Sequence, residues 1–169
     1  SNWKLLMENF IEPYHVQFVH KTTTNQPLTD HYVVADENCL GSAIDLTSEK
    51  QNKGKEGTLS VSSRYLTLFP NFVLGVYYPD QLGVHLNQPI SAESTRQRRV
   101  IYQLKSADQS ADEIEKIRKL WISVHKEDHE ICERLQQGRH SDLSEQGGLL
   151  SPHWESSVRK FQELVADSI

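Results

Sequence analysis

Apolar residues at Trp3, Leu6, Met7, Phe10 and Tyr14 recur at three- and four-residue steps, so the chain opens on an amphipathic helix. Pro13 lacks the amide hydrogen that an interior turn needs, and the helix is predicted to bend or end near His15. Irregular backbone after His15 would swing His20 back toward it. Polar clusters fill residues 21–56, broken by short apolar runs such as Tyr32-Val33-Val34, and residues 49–57 read as a loop. The pattern then shifts to β-branched and aromatic residues. Segments 61–68, 71–78, 83–87 and 98–104 are predicted strands, with Pro, Gly, Asp and Asn between them. Connections as short as Tyr78-Pro79-Asp80-Gln81-Leu82-Gly83 imply an antiparallel meander.

Ser110 and Glu113 have the spacing of a capping box, and a long helix is expected from there to about Gln137, with Gly138 as the residue that ends it. Its apolar stripe is Ile114, Ile117, Leu120, Trp121, Val124, Ile131 and Leu135. After Gly147-Gly148, Ser151-Pro152 is expected to start a last amphipathic helix through Trp154, Val158, Phe161 and Val165. Helices bracketing an antiparallel sheet make an α+β fold, and a long helix laid across a curved sheet leaves a cavity between them.

One position breaks the long stripe. Asp128 lies seven residues after Trp121, four after Val124 and three before Ile131, so it projects from the middle of the apolar face. A buried carboxylate costs several kcal/mol unless something neutralises it. A salt bridge to a loop would do so, and so would a metal. His15 and His20 are natural co-ligands for the metal reading, because neutral imidazoles suit Fe(II) and Zn(II) alike. Glu12 and His15, three residues apart, share a helix face that is not the apolar one, so by themselves they read as an exposed polar pair. His125 and His129 form a rival pair at four-residue spacing, but Lys126 stands where a zincin helix carries its glutamate.

Composition narrows the classes. At 169 residues the chain fits one domain, and 37% hydrophobic with 24% charged residues is ordinary for a globular protein. A net charge of -5 argues against nucleic acid, and the basic run Arg96-Gln97-Arg98-Arg99 reads as a solvated strand end. No apolar run suggests a membrane span or signal peptide, so no membrane partner is expected. Cys39 and Cys132 stand far apart with no C-x-x-C motif, which suggests reduced thiols and a cytoplasmic setting. The abrupt helical start suggests a domain cut from something longer.

The segment NWKLLMENFIEPYHVQFVH resembles the opening of the catalytic domain of Rieske non-haem iron oxygenase α subunits, the ring-hydroxylating type. The segments LFPNFVLGVYYPDQLGVHLNQPISAESTRQRRVIYQL and VHKEDHEICERLQQG are similar to that family's central sheet and last-ligand helix. The resemblance covers residues 2–169. It implies a helix-grip fold, and a facial triad of His15, His20 and Asp128 holding a mononuclear Fe(II). It makes Glu12 the electron-transfer bridge to a Rieske [2Fe–2S] cluster on a neighbouring subunit. Glu rather than Asp at that position looks more like members acting on quaternary amines.

The C-x-H and C-x-x-H pairs that bind such a cluster are missing here, so the cluster domain is expected to precede residue 1. The implied reaction activates dioxygen to hydroxylate, dihydroxylate or oxidatively dealkylate a small organic substrate. Electrons would come from NAD(P)H through a reductase or ferredoxin, in a full-length homotrimer. Phe72, Tyr77 and His85 are candidate pocket residues. Two other readings share the fold or the ligands: a metal-free helix-grip module binding an apolar ligand, and a hydrolytic zinc site.

Overall fold

The computed structural model describes residues 1–52, 58–104 and 110–169. Six strands form one antiparallel sheet in chain order: β1 His31–Asp36, β2 Cys39–Ile44, β3 Ser63–Leu68, β4 Phe72–Tyr77, β5 Gln81–Ser91 and β6 Ser94–Gln103. Four of these were expected from the sequence. β1 and β2 were not, because Cys39-Leu40-Gly41-Ser42-Ala43-Ile44 carries small and polar residues where a strand signal wants bulk. That segment is nevertheless the best-covered strand, with five of its six residues buried.

β5 and β6 also run longer than predicted and turn at Ala92-Glu93. Arg96–Arg99 is therefore inside the β6 ladder rather than at a solvated strand end, and Arg99 lies directly across from His85. Strand alternation puts Tyr65, Tyr77, His85 and Arg99 on one face and Phe72, Leu74 and Val84 on the other. Phe72 accordingly points away from the site.

Helix α1 (Trp3–Ile11) is capped by the Asn2 side chain, which accepts from the Lys4 amide, and stops two residues before Pro13. Its buried face is Leu5, Met7, Asn9 and Ile11, while Tyr14 is exposed. A single helical turn, α2 (Val16–Val19), follows the bend. α3 (Ser48–Asn52) occupies the start of the expected loop, and the rest of that loop lies outside the described residues.

Helix α4 (Ala111–Gly138) begins at the expected Ser110–Glu113 capping box. It runs through Gly138 and caps at Arg139 with φ -66°, so Gly138 never turns left-handed. Only Trp121, Val124 and Cys132 of α4 are buried; Ile114 and Leu135 face solvent. α5 (Ser156–Asp167) starts five residues after Ser151, whose amide instead donates to Glu155 Oε2.

Two apolar clusters fix the layers. Met7, Ile11, Leu40, Val73, Val158 and Phe161 join α1 and α5 to the sheet. Leu59, Tyr77, Trp121 and Val124 seat α4 on it. The gap between these clusters is where the α1–α2 bend meets α4. The arrangement is the expected α+β helix-grip.

Candidate metal centre and its cavity

The α1–α2 bend and α4 bring His15, His20 and Asp128 together. One donor atom from each lies within 4.8 Å of the others, and among the described residues this is the group that could hold a metal. His20 Nε2 is 3.2 Å and His15 Nε2 3.7 Å from Asp128 Oδ1. His15 and His20 flank the single turn of α2, and His20 leaves helical geometry at ψ 41°. A regular helix would have set the rings roughly 140° apart; here their centroids are 5.2 Å apart.

The outer nitrogen of each imidazole is already engaged. Glu12 accepts from the His15 ring (Nδ1–Oε1, 2.6 Å) and from the His15 amide, while Glu127 pairs with His20 Nδ1 at 2.8 Å. Such outer carboxylates fix ring orientation and leave Nε2 as the free donor, which is the arrangement metal-binding histidines commonly show. Asn9 donates to Asp128 Oδ1 at 3.1 Å, and Thr23 donates to Glu127. Two neutral-donor imidazoles with one carboxylate fit a divalent iron, so the residues present suit the group the resemblance implies.

Burial opposes charge on both His20 and Asp128, yet each wins it back from the other. Hydrogen bonds and charges from Asp128 and Glu127 raise the His20 pKa despite its burial. His20, His15 and Arg99 hold the Asp128 carboxyl far below its usual range against the same opposing effect. An ionised carboxylate facing two ring nitrogens is a site ready for a cation.

Beside it opens a small cavity. Phe10, Tyr65, Tyr77 and Trp121 line it, with Tyr77 and Trp121 ring centroids 4.4 Å apart and Tyr65 and Tyr77 5.7 Å apart. The Tyr77 ring lies over Gly75, where an added Cβ would sit 2.3 Å from the Tyr77 hydroxyl. Gly75 faces Gly83 across the β4–β5 ladder, so two small residues make the bed for one large ring. Trp121 Nε1 donates to Gln81, which holds the indole in place.

Of the sequence candidates, Tyr77 and His85 do line the cavity. His125 lines it too, but with His85 (5.3 Å between centroids) rather than His129, which is exposed; the rival metal pair does not form. Sequence reasoning passed over Tyr65, Glu127 and Asn9. Strand alternation from Tyr77 through its ladder partner Ser63 would have found Tyr65.

Burial, with Arg99 adding its charge, pushes the His85 and His125 pKa values down to about 3; burial and His15 push His31 to about 4. In the unfolded chain all three bind a proton below roughly 6.5. The unfolded state then holds more protons, so folding stability falls as pH drops from about 6.5 toward 4. His20, with its raised value, runs the other way: its contribution is present below 6.5 and lost as pH rises. Three groups against one give a net acid loss. The metal-free chain should show a lower urea midpoint at pH 5 than at pH 7, and equal midpoints would refute the neutral-histidine account.

A family model described as the ring hydroxylating alpha subunit (catalytic domain) matches residues 1–169. The chain belongs to that family. Choline monooxygenase, chloroplastic, from Atriplex hortensis is 27% identical over 154 residues, and that from Spinacia oleracea 25%; each match covers 90% of this chain and 34% of the relative. The quaternary ammonium Rieske monooxygenase CntA shares the fold. Its inhibitor complex matches at TM-score 0.78 and 20% identity, and its γ-butyrobetaine complex at 0.71 and 18%. These cover 99% of this chain and 46% and 44% of theirs.

This Rieske oxygenase catalytic domain thus spans about a third of the curated relatives it matches. The comparisons do not favour the metal-free ligand binder. Among the described residues, no helix is long and apolar enough to cross a membrane.

Proposed function

We propose that this chain is the oxygen-activating part of a Rieske monooxygenase acting on a quaternary ammonium compound. His15, His20 and Asp128 hold a mononuclear Fe(II). Bound there, the iron supplies reductive activation of dioxygen. The observation that carries the assignment is the paired outer contact: Glu12 on His15 and Glu127 on His20 leave both Nε2 atoms turned to one ionised carboxylate.

The chain's own residues divide the remaining work. Asn9 keeps Asp128 oriented, and Thr23 keeps Glu127 against His20. Phe10, Tyr65, Tyr77 and Trp121 line the cavity and supply the aromatic surface that a bound cation would meet. Glu12, hydrogen-bonded to His15, is the link through which electrons arrive from a [2Fe–2S] cluster outside these residues. NAD(P)H, through a reductase, is their source, and neighbouring copies in a trimer bring cluster and iron together. One oxygen atom enters a substrate C–H bond, and the other leaves as water with two electrons and two protons. The relatives named as monooxygenases support this stoichiometry, and the quaternary ammonium compounds in their names support the substrate class. Both cysteines are free, in keeping with a reducing compartment.

Anaerobic Fe(II) loading followed by metal analysis and calorimetry with tetramethylammonium tests the proposal. About one iron per chain is expected. Trp121→Leu should weaken ammonium binding about tenfold while iron content stays native, since a desolvated cation–π contact is worth that much. Absence of iron uptake by the native chain would overturn the assignment.

A further inference from the structure

Behind the metal ligands lies a second, smaller chamber with room for about one water molecule. Asn9, Phe10, His85 and Asp128 stand in its wall and in that of the ring-lined cavity alike. Arg99 lines the chamber and not the ring-lined cavity, which sets it behind Asp128 rather than in the substrate space.

The Arg99 guanidinium is buried with little to balance it. Its Nε donates to the neutral Gln97 amide, and its Nη1 is buried without an acceptor. His85, directly across the β5–β6 ladder, is neutral, its pKa pushed down to about 3 by burial and by Arg99. Burial pushes the Cys132 thiol up to about 12, so it carries no charge either. Among the described residues, Asp128 is then the one anion in the chamber wall. An incompletely balanced buried cation is costly, and an apolar side chain of similar size would be the cheaper occupant. The same cation opposes any divalent ion held by Asp128. A group that costs both folding and metal affinity points to a third quantity that it improves.

Charge decides which. Ferric iron becomes ferrous by taking up one electron, so the site loses one unit of positive charge and no bond changes. A fixed cation nearby therefore disfavours ferric iron more than ferrous iron. At an effective dielectric constant of about 20, a unit charge one small cavity away shifts such a one-charge step on the order of tenfold.

We infer that Arg99 is a positioning residue for the redox state of the metal: held behind Asp128 by Gln97, its buried charge favours ferrous over ferric iron in the triad. The inference rests on the iron reading of His15, His20 and Asp128 and deepens it by naming what keeps that iron reduced.

Two measurements on the loaded chain test it. An anaerobic redox titration of the iron-loaded protein, with the ferric signal followed by electron paramagnetic resonance, gives the midpoint. Arg99→Gln, which keeps a hydrogen-bond donor but no charge, should raise the ferric-to-ferrous ratio at the native midpoint about tenfold, a fall of about 59 mV. Arg99→Lys, which keeps the charge, should stay close to native. Zn(II), a redox-inert ion of the same charge as Fe(II), should bind Arg99→Gln several-fold more tightly than native in competition with a chelator. Arg99→Met repeats both measurements without a buried polar group, should Arg99→Gln fail to fold. An unmoved midpoint in the uncharged variants would overturn the inference. So would an equal fall in Arg99→Lys, which would trace the shift to shape. Weaker Zn(II) binding by the uncharged variants would make Arg99 a structural support for Asp128 and also overturn it. A loss of γ-butyrobetaine affinity with the midpoint unmoved would place Arg99 against a substrate carboxylate, with the same result. A native chain that takes up Zn(II) but no Fe(II) would remove the iron reading and this inference together, whereas a loaded native chain with unmoved variants removes the inference alone.

Discussion

Asp128→Ala chains should bind no measurable Fe(II), whereas Glu127→Gln chains should still bind it, about 10–100-fold more weakly than native. The two neighbours on α4 differ in what they touch. Asp128 offers an ionised oxygen 3.2 Å from His20 Nε2 and 3.7 Å from His15 Nε2, and it is the sole anionic member of the donor set. Without it, two neutral imidazoles on a one-turn helix face a divalent ion alone. Glu127 reaches only the far nitrogen of His20 and the Thr22 and Thr23 hydroxyls. Its removal lets the His20 ring rotate and lose basicity, but the donor stays in the site. Titration with Fe(II) under argon, followed by metal analysis of the desalted chain, reads both. Equal affinities for Asp128→Ala and native protein would sink the triad. If Glu127→Gln binds iron as tightly as the native chain, the outer contact is dispensable and the ring is held by packing alone.

What made Asp128 legible was contrast. A carboxylate on an apolar helix stripe conflicts with burial, and the period of the helix exposes the conflict without any knowledge of the fold. Glu127 produces no such signal. It belongs on the polar flank of α4 by period, and only the return of the α1–α2 bend over that flank gives it a partner. The strands divide in the same way. β3 and β4 are written in β-branched and aromatic residues, but β2 is composed of Cys, Leu, Gly, Ser, Ala and Ile and looks like loop. Its small residues are there because α5 and the inner ring cluster crowd it, and that demand is tertiary. The ends of elements were least legible. Gly138 seemed a stop but is an ordinary helical residue, while Gly41, unremarked in the sequence, is where backbone geometry admits nothing larger.

Gly41→Ala should cost about 3 kcal/mol or more, the sum of backbone strain and an overlap that cannot relax. Gly41 sits at φ +156°, and a Cβ built there falls 1.8 Å from the Tyr65 carbonyl oxygen. At Gly75 and Gly83 an added methyl would meet side-chain atoms only. At Gly41 it meets backbone of β3, at the point where Gly41 pairs with Leu66. Relief requires β2 and β3 to part, and these strands carry Ser42 and Tyr65 into the cavity. Loss of fold and loss of ligand binding should therefore fall together in this variant. Gly138→Ala is the counterpart. A Cβ there meets nothing within 4 Å, the residue is helical, and alanine should stabilise α4 by about 0.5–1 kcal/mol. Urea midpoints of the two variants should move in opposite directions from native. A Gly41→Ala midpoint within error of native would mean that β2 and β3 do not approach as closely as this register demands.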